Sequence, residues 1–142
     1  MSRTRTETRA RARALQALYA WDVRGRERVD ELPRLAEQIW DELRVAPGER
    51  RRAAALVAVI AADAPDIDAA LRDVTANWRL ERLGAVERAV LRVAVAELRS
   101  EPTPPRVVIQ DAVHLAERFG SPQSARFVNG VLDAPARRMG RL

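Results

Sequence analysis

Apolar residues in this chain recur at intervals of three and four positions, which is the spacing of one face of an α-helix. No run alternates with the period of two that a half-buried strand requires. Residues 85–99 carry two apolar stripes, one through Val86, Val90 and Val93 and the other through Leu91, Val95 and Leu98. A helix with two apolar stripes packs against neighbours on both sides, so we expect this segment to be central. The sequence predicts an all-α protein.

Asn129-Gly130 is the strongest contrary signal, because both residues tolerate the positive φ of a tight hairpin turn. Ser121-Pro122, however, is a clear helix start, with an N-cap followed by proline. Phe127 and Leu132 have the spacing of a helix that begins there. We therefore expect Asn129-Gly130 inside a helix, where glycine costs about 1 kcal/mol relative to alanine. That cost suggests close packing against another helix or a ligand; the alternative is a glycine without importance.

Prolines, glycines and capping residues divide the chain into about seven helices. They are expected at residues 8–23, 32–43, 49–62, 63–74, 85–99, 105–119 and from 121 onward. Residues 77–84 are expected to form a turn or 3₁₀ segment, whose Trp78, Leu80 and Leu83 fill the junction between helix groups. The length of 142 residues fits one domain, residues 1–142. Two small bundles joined near Asn77 are one way to arrange it.

The net charge of +5 is concentrated at the two ends of the chain. Residues 1–13 contain five arginines against Glu7 alone, and residues 137–142 contain three more. Such basic ends are typical of a protein that binds a polyanion. The alternative is that residues 1–8 and 137–142 are merely solvated, flexible tails. On the first helix Arg9, Arg13 and Gln16 share a face, and Tyr19 follows one turn later.

Several chemistries are unsupported by the sequence. The chain has no cysteine, which excludes disulfides and thiolate chemistry. His114 is the sole histidine and has no nucleophile or orienting group near it in sequence. Asp63, Asp66 and Asp68 lack the spacing of a calcium loop, and capping explains the first. We therefore expect no enzymatic activity, no cofactor and no metal. Without a long apolar run or a secretory signal, a cytoplasmic protein that does not enter membranes is expected.

Taken together, four segments resemble the NusB family of transcription antitermination factors. The Phe-Val-Asn-Gly-Val-Leu-Asp run is the most specific motif, and Ala-Leu-Tyr-Ala-Trp is nearly as telling. The segments cover most of the chain in order and span residues 11–21, 83–98, 107–120 and 124–133. The resemblance implies a fold of two three-helix bundles. It also implies binding to boxA RNA of ribosomal RNA leader transcripts together with NusE, a small-subunit ribosomal protein, within an RNA polymerase antitermination complex.

The resemblance also assigns site residues. Eight positions match the RNA-contacting residues of the family: Arg9, Arg11, Tyr19, Arg118, Phe119, Gln123, Arg126 and Phe127. Glu81 and Glu87 match the face that meets NusE. Glu7 and Thr8 stand where the family has arginines, so weaker RNA binding is expected at the start of the first helix. Arg3 and Arg5 can compensate for the missing positive charge. Gln123 replaces an acid, so a repulsion toward RNA is lost.

Two other functions compete with this one. Certain rRNA cytosine methyltransferases carry a similar helical module as an N-terminal RNA-binding part, but that enzyme needs a further domain and a nucleophilic cysteine. A helical interaction module without any role in RNA binding would have much the same composition. The sequence leaves the oligomeric state open, a homodimer included.

Overall fold

The computed structural model describes residues 2–25, 28–75, 82–100 and 103–140, with side chains from residue 5 onward except that of residue 74. In these ranges the chain forms six α-helices and one short 3₁₀ helix, Val29–Glu31, without a strand. The α-helices are α1 Ser2–Val23, α2 Leu32–Glu42, α3 Pro47–Val74, α4 Ala85–Ser100, α5 Pro105–Phe119 and α6 Pro122–Arg138. None of the helices in the described part is long and apolar enough to cross a membrane.

The helix boundaries follow from capping and from proline. The Ser121 side chain accepts a hydrogen bond from the Ser124 backbone N–H at 3.1 Å, which caps α6, and Pro122 occupies the first turn. Gly25 ends the segment after α1 with a φ of 105°, which disfavours any residue with a Cβ. The predicted bounds of α4 and α5 and the predicted start of α6 agree with the structure to within one or two residues.

Asn129 and Gly130 lie inside α6, as predicted, and both are exposed. A Cβ built on Gly130 would meet nothing within 4 Å. The expectation that another helix packs closely against this glycine is therefore wrong for the described part of the chain. Only a bound ligand could still require the absence of a side chain there.

Two other segments differ from the prediction. The first helix begins at Ser2 rather than Thr8, so the segment expected as a flexible basic tail is helical from that residue. Residues 2–7 contain neither glycine nor proline, and nothing local stops the helix. The predicted third and fourth helices are joined into one element, α3, but the predicted boundary at Asp63 is present as a kink (φ −109°, ψ 17°) ahead of Pro65. Proline lacks the N–H that continues a helix, which accounts for the kink.

The helices pack as two groups of three, α1 to α3 and α4 to α6, with α4 also against α1 and α3. This confirms the predicted all-α fold with two small bundles. Every residue of α4 from Arg88 to Leu98 is buried, so that helix is central, as predicted. Leu83 packs partly buried against the core, whereas Trp78 and Leu80 lie outside the described residues.

Helix α4 buries three charged residues that its apolar pattern did not predict. Arg88 donates to Asp22 of α1 through Nε at 2.8 Å. Arg92 donates to Asp68 of α3 through Nε at 2.9 Å and lies over the Trp21 ring, 5.7 Å from its centroid. Because buried charges are costly unless paired, these contacts fix α4 against its neighbours. The third charged residue, Glu97, is described below.

Candidate nucleic-acid interface

A cavity of about 330 Å³ opens between α1, α5 and the start of α3, and we refer to it as the α1–α5 cavity. Its lining is strongly basic, with one acid and one aromatic ring. The lining residues are Arg9, Ala12, Arg13, Gln16, Glu49, Arg118 and Phe119. One helical face of α1 supplies the first four of them, which is the face that the sequence indicated. Arginine is well suited to bind phosphate, so the cavity suits a polyanion.

The arginines of this cavity are not equally available. Arg13 is held inside it, donating from Nε to Glu49 Oε2 at 2.7 Å and from Nη1 to Gln16 Oε1 at 3.2 Å. Arg9 and Arg118 are exposed and form no ion pair with any residue that the structure describes. The two exposed guanidinium groups are therefore free to meet a ligand at this cavity.

Arg118 lies over its neighbour Phe119, with Cζ 4.8 Å from the ring centroid. This is a cation–π distance. The phenyl ring is half-buried and packs on the core, so it supports the guanidinium from below. A planar guanidinium held in this way can stack on an unpaired base while its N–H groups reach phosphate.

A second cavity, of about 240 Å³, lies between the start of α4 and the start of α6, and we refer to it as the α4–α6 cavity. Gln123 and the half-buried Phe127 line it, and so does Glu87. Glu87 accepts a hydrogen bond from Ser124 Oγ at 2.8 Å. The residue expected to meet a protein partner thus shares a cavity with two residues expected to meet RNA. The residues expected to meet the two partners therefore adjoin here.

The remaining predicted site residues are dispersed. Arg126 lines a third groove, between α5 and α6, with Ile109 and Asn129, so it points away from its neighbour Phe127. Tyr19 is 43% exposed on α1 but lines none of these cavities. Glu81 lies outside the described residues.

Arg11 lines none of these cavities. Only 4% exposed, it donates to both carboxylate oxygens of Glu97 and to Asp111, at 2.6 to 2.7 Å. The expected RNA contact therefore needs correction, because the guanidinium is committed to joining three helices. Arg13, two residues further along and on another face of α1, lines the α1–α5 cavity instead.

Sequence reasoning missed Glu49 and Arg82. Glu49 lies in the first turn of α3, where the helix dipole favours an acid whether or not that acid contacts another helix. Only the packing of α1 against α3 reveals that Arg13 reaches it. Arg82 lines the α4–α6 cavity from a segment that the sequence assigned to a junction.

The three aspartates Asp63, Asp66 and Asp68 and the histidine His114 show no metal-binding arrangement. Among the described residues no group of three His, Asp or Glu side chains could hold a metal ion. Asp63 and Asp66 each lie 3.8 Å from Arg99 Nη2, and Asp68 binds Arg92. His114 is exposed on α5.

Similarity to known proteins points to one family. The sequence model of the NusB family matches residues 8–137. The transcription antitermination protein NusB of Sorangium cellulosum is 43% identical over 133 residues, covering 93% of this chain and 92% of that protein. The structure of T. maritima NusB superposes with a TM-score of 0.82 at 32% identity, covering 92% of this chain and 90% of that one.

A crystal structure of the antitermination factors NusB and NusE in complex with dsRNA matches with a TM-score of 0.81 and 30% identity. The match covers 97% of this chain and 99% of that chain. The fold of this chain therefore matches that of the solved NusB structures over nearly its whole length.

Proposed function

Because the chain belongs to the NusB family, we propose that it binds boxA RNA of ribosomal RNA leader transcripts together with NusE and thereby promotes processive rRNA transcription. It acts in the cytoplasm as a component of the RNA polymerase antitermination complex, without catalysis. The observation that carries the proposal is the α1–α5 cavity, where Arg9 and Arg118, neither paired with a described acid, lie beside the Phe119 ring. A relative of similar fold is known in complex with NusE and dsRNA.

RNA binding on this surface has two components. Arg9 and Arg118 supply the electrostatic attraction to phosphates, which weakens as salt rises. Phe127 and the Arg118–Phe119 pair supply stacking surfaces, each worth about 1 to 3 kcal/mol per base. Gln123 adds no negative charge beside Phe127, so the α4–α6 cavity repels RNA less than an acid there would.

The proposed NusE contact includes Glu87, at the start of α4, and Glu81 nearby in sequence. Acids suit a basic ribosomal protein as partner. Because Glu87 shares a cavity with Gln123 and Phe127, NusE bound at Glu87 would cover the edge of the RNA surface. RNA would then contact both proteins at once, and each would raise the affinity of the other.

The proposal is tested by titrating fluorescently labelled boxA RNA with this protein, alone and with its cognate NusE. Each titration is run at two salt concentrations and repeated with a scrambled RNA of the same composition. We expect preference for boxA, a steep loss of affinity with salt, and tighter binding with NusE. Weak binding that ignores both sequence and NusE would overturn the proposal and leave a helical module with basic ends.

A further inference from the structure

The α1–α5 cavity contains one group that a phosphate site does not need, the carboxylate of Glu49. We propose that this cavity holds one unpaired guanine of the bound RNA and that Glu49 selects that base. The inference rests on the proposed RNA-binding function and names the ligand of this cavity within it.

Glu49 is 8% exposed, so its charge is held in the protein at a cost that a partner must offset. Arg13 offsets it at Oε2, by the 2.7 Å hydrogen bond from Nε. Oε1 has no hydrogen bond to a described residue, and it is not sealed inside the protein. The cavity that Glu49 lines therefore contains one hydrogen-bond acceptor that no described residue uses.

The other polar groups of the cavity are donors. The Gln16 amide oxygen accepts from Arg13, so the amide N–H groups of Gln16 remain available to donate. Arg9 and Arg118 can only donate. A ligand that satisfies the cavity must accept hydrogen bonds from several directions and donate to Glu49.

Guanine meets both conditions. Its ring N1–H and 2-amino group are adjacent donors on one edge, suited to a carboxylate, and its O6 and N7 accept from arginine. Uracil and cytosine each offer fewer donors on one edge, and adenine lacks the acceptor at position 6 that arginine reads in guanine. The Arg118 guanidinium, fixed over Phe119, provides a plane for the base to stack on.

A phosphate alone fits the cavity less well. A carboxylate near a phosphate repels it, and the repulsion is strongest where water is excluded. The volume of about 330 Å³ is at the small end of the range for ligand clefts, which suits a single base rather than a helix. Unpaired bases splayed into such clefts are the usual means by which proteins read RNA sequence.

The first experiment uses the unmodified protein with its NusE and a series of boxA RNAs. In each RNA one guanosine is replaced by inosine, which lacks only the 2-amino group. We expect one position at which inosine lowers affinity about ten-fold, as for the loss of a hydrogen bond to a charged group. If no position changes the affinity by more than two-fold while the parent boxA RNA binds well, this inference is overturned and the proposed function stands.

The second experiment asks whether Glu49 reads that position. In Glu49→Gln, which keeps the size of the side chain, we expect weaker binding to the parent RNA and no further loss with the inosine RNA. A ten-fold inosine penalty that persists in this variant would overturn the role of Glu49. Glu37→Gln is the matched control, because Glu37 is an exposed acid that is paired with an arginine, Arg50, but does not line the cavity.

A crosslinking measurement keeps the proposal testable if Glu49→Gln does not fold. The sensitive guanosine is replaced by 6-thioguanosine, and the complex with the unmodified protein is irradiated and digested. We expect the crosslink in the peptides that contain residues 9–16 or 118–119. A crosslink confined to α6 or to NusE would overturn the placement.

Discussion

Arg11 and Glu97 form a bidentate ion pair across the contact between α1 and α4, with N···O distances of 2.7 and 2.6 Å. Arg11 also donates to Asp111 of α5 at 2.7 Å. Burial by itself would lower the pKa of the Arg11 guanidinium, but the hydrogen bonds and charges of Glu97 and Asp111 outweigh it and raise that pKa above its ordinary value. Arg11 therefore stays charged at any pH at which the protein is folded, and three helices depend on it.

The first prediction concerns the stability that this ion pair provides. Arg11→Ala should lower the free energy of unfolding by about 3 kcal/mol, because Glu97 would remain buried without a cation. The double variant Arg11→Met with Glu97→Met should recover much of that loss, since neither charge is then buried. Urea unfolding followed by circular dichroism measures both, and a loss below about 1 kcal/mol in the single variant would show that water replaces the arginine.

The second prediction concerns Phe127. Phe127→Ala should weaken boxA binding about ten-fold, because a stacking surface contributes about 1 to 3 kcal/mol per base. Helical content at room temperature should be unchanged, since the ring is only half-buried in the α4–α6 cavity. Circular dichroism and RNA titration of the same sample separate the two effects. An unfolded variant would mean that Phe127 belongs to the core and not to the RNA surface.

The third prediction concerns the proposed NusE contact. Glu87→Arg should impair NusE association more than RNA binding by the isolated protein, because it inverts a charge that faces a basic partner. The loss of the hydrogen bond to Ser124 also disturbs the α4–α6 cavity, so some loss of RNA affinity is expected. Calorimetry with NusE and titration with RNA provide the two numbers. Glu42→Arg, an exposed acid on α2, is the matched control, and equal losses for both ligands would contradict a distinct NusE contact.

The fourth prediction compares two glycines. Gly130→Ala should raise the free energy of unfolding by about 1 kcal/mol, because an added Cβ meets open space in a helix interior. Gly120→Ala should lower it by about 1 to 2 kcal/mol, since its Cβ would come within 2.8 Å of the Ala116 carbonyl oxygen. Thermal unfolding of the two variants checks the opposite signs. A stabilised Gly130→Ala that loses RNA or NusE affinity would identify a ligand lying against the helix.

The fifth prediction concerns the salt dependence of RNA binding. Arg9→Gln should reduce the slope of log affinity against log salt by about 1, because one phosphate contact is lost. Arg34→Gln removes the same charge from an exposed site on α2 and should leave the slope nearly unchanged. Fluorescence anisotropy titrations between low and moderate salt distinguish the variants. The same slope change in both would mean that net charge, rather than the α1–α5 cavity, governs binding.

Local chemistry explains why most of the fold could be predicted. The start of α6 depends on Ser121 and Pro122, which act within one turn, and the central position of α4 depends on its own apolar stripes. The boundary predicted at Asp63 is also present, as a kink inside α3 ahead of Pro65. The start of α1 at Ser2 rather than Thr8 could not be predicted, because no residue in that stretch stops the helix.

The candidate site was less predictable for a related reason. Arg9, Gln16 and Arg13 share a helical face, so their grouping could be predicted from spacing alone. Whether an arginine is available to RNA depends instead on acids far away in sequence. Glu97 is 86 residues from Arg11 and makes it structural, whereas no described acid reaches Arg9. No residue near Arg11 in the sequence indicates that Arg11 is buried in an ion pair with Glu97.

The position of the Arg11 network has a consequence for the entropy of RNA binding. Arg11 joins α1 to α5 through Asp111, and these two helices form opposite walls of the α1–α5 cavity. The distance between the α1 and α5 positions of Arg9 and Arg118 is thereby set when the protein folds. RNA binding therefore does not incur a second entropic cost for ordering these two helices. A buried arginine outside the cavity lining can thus raise RNA affinity, and its loss should appear as a weaker and less ordered complex even where folding survives.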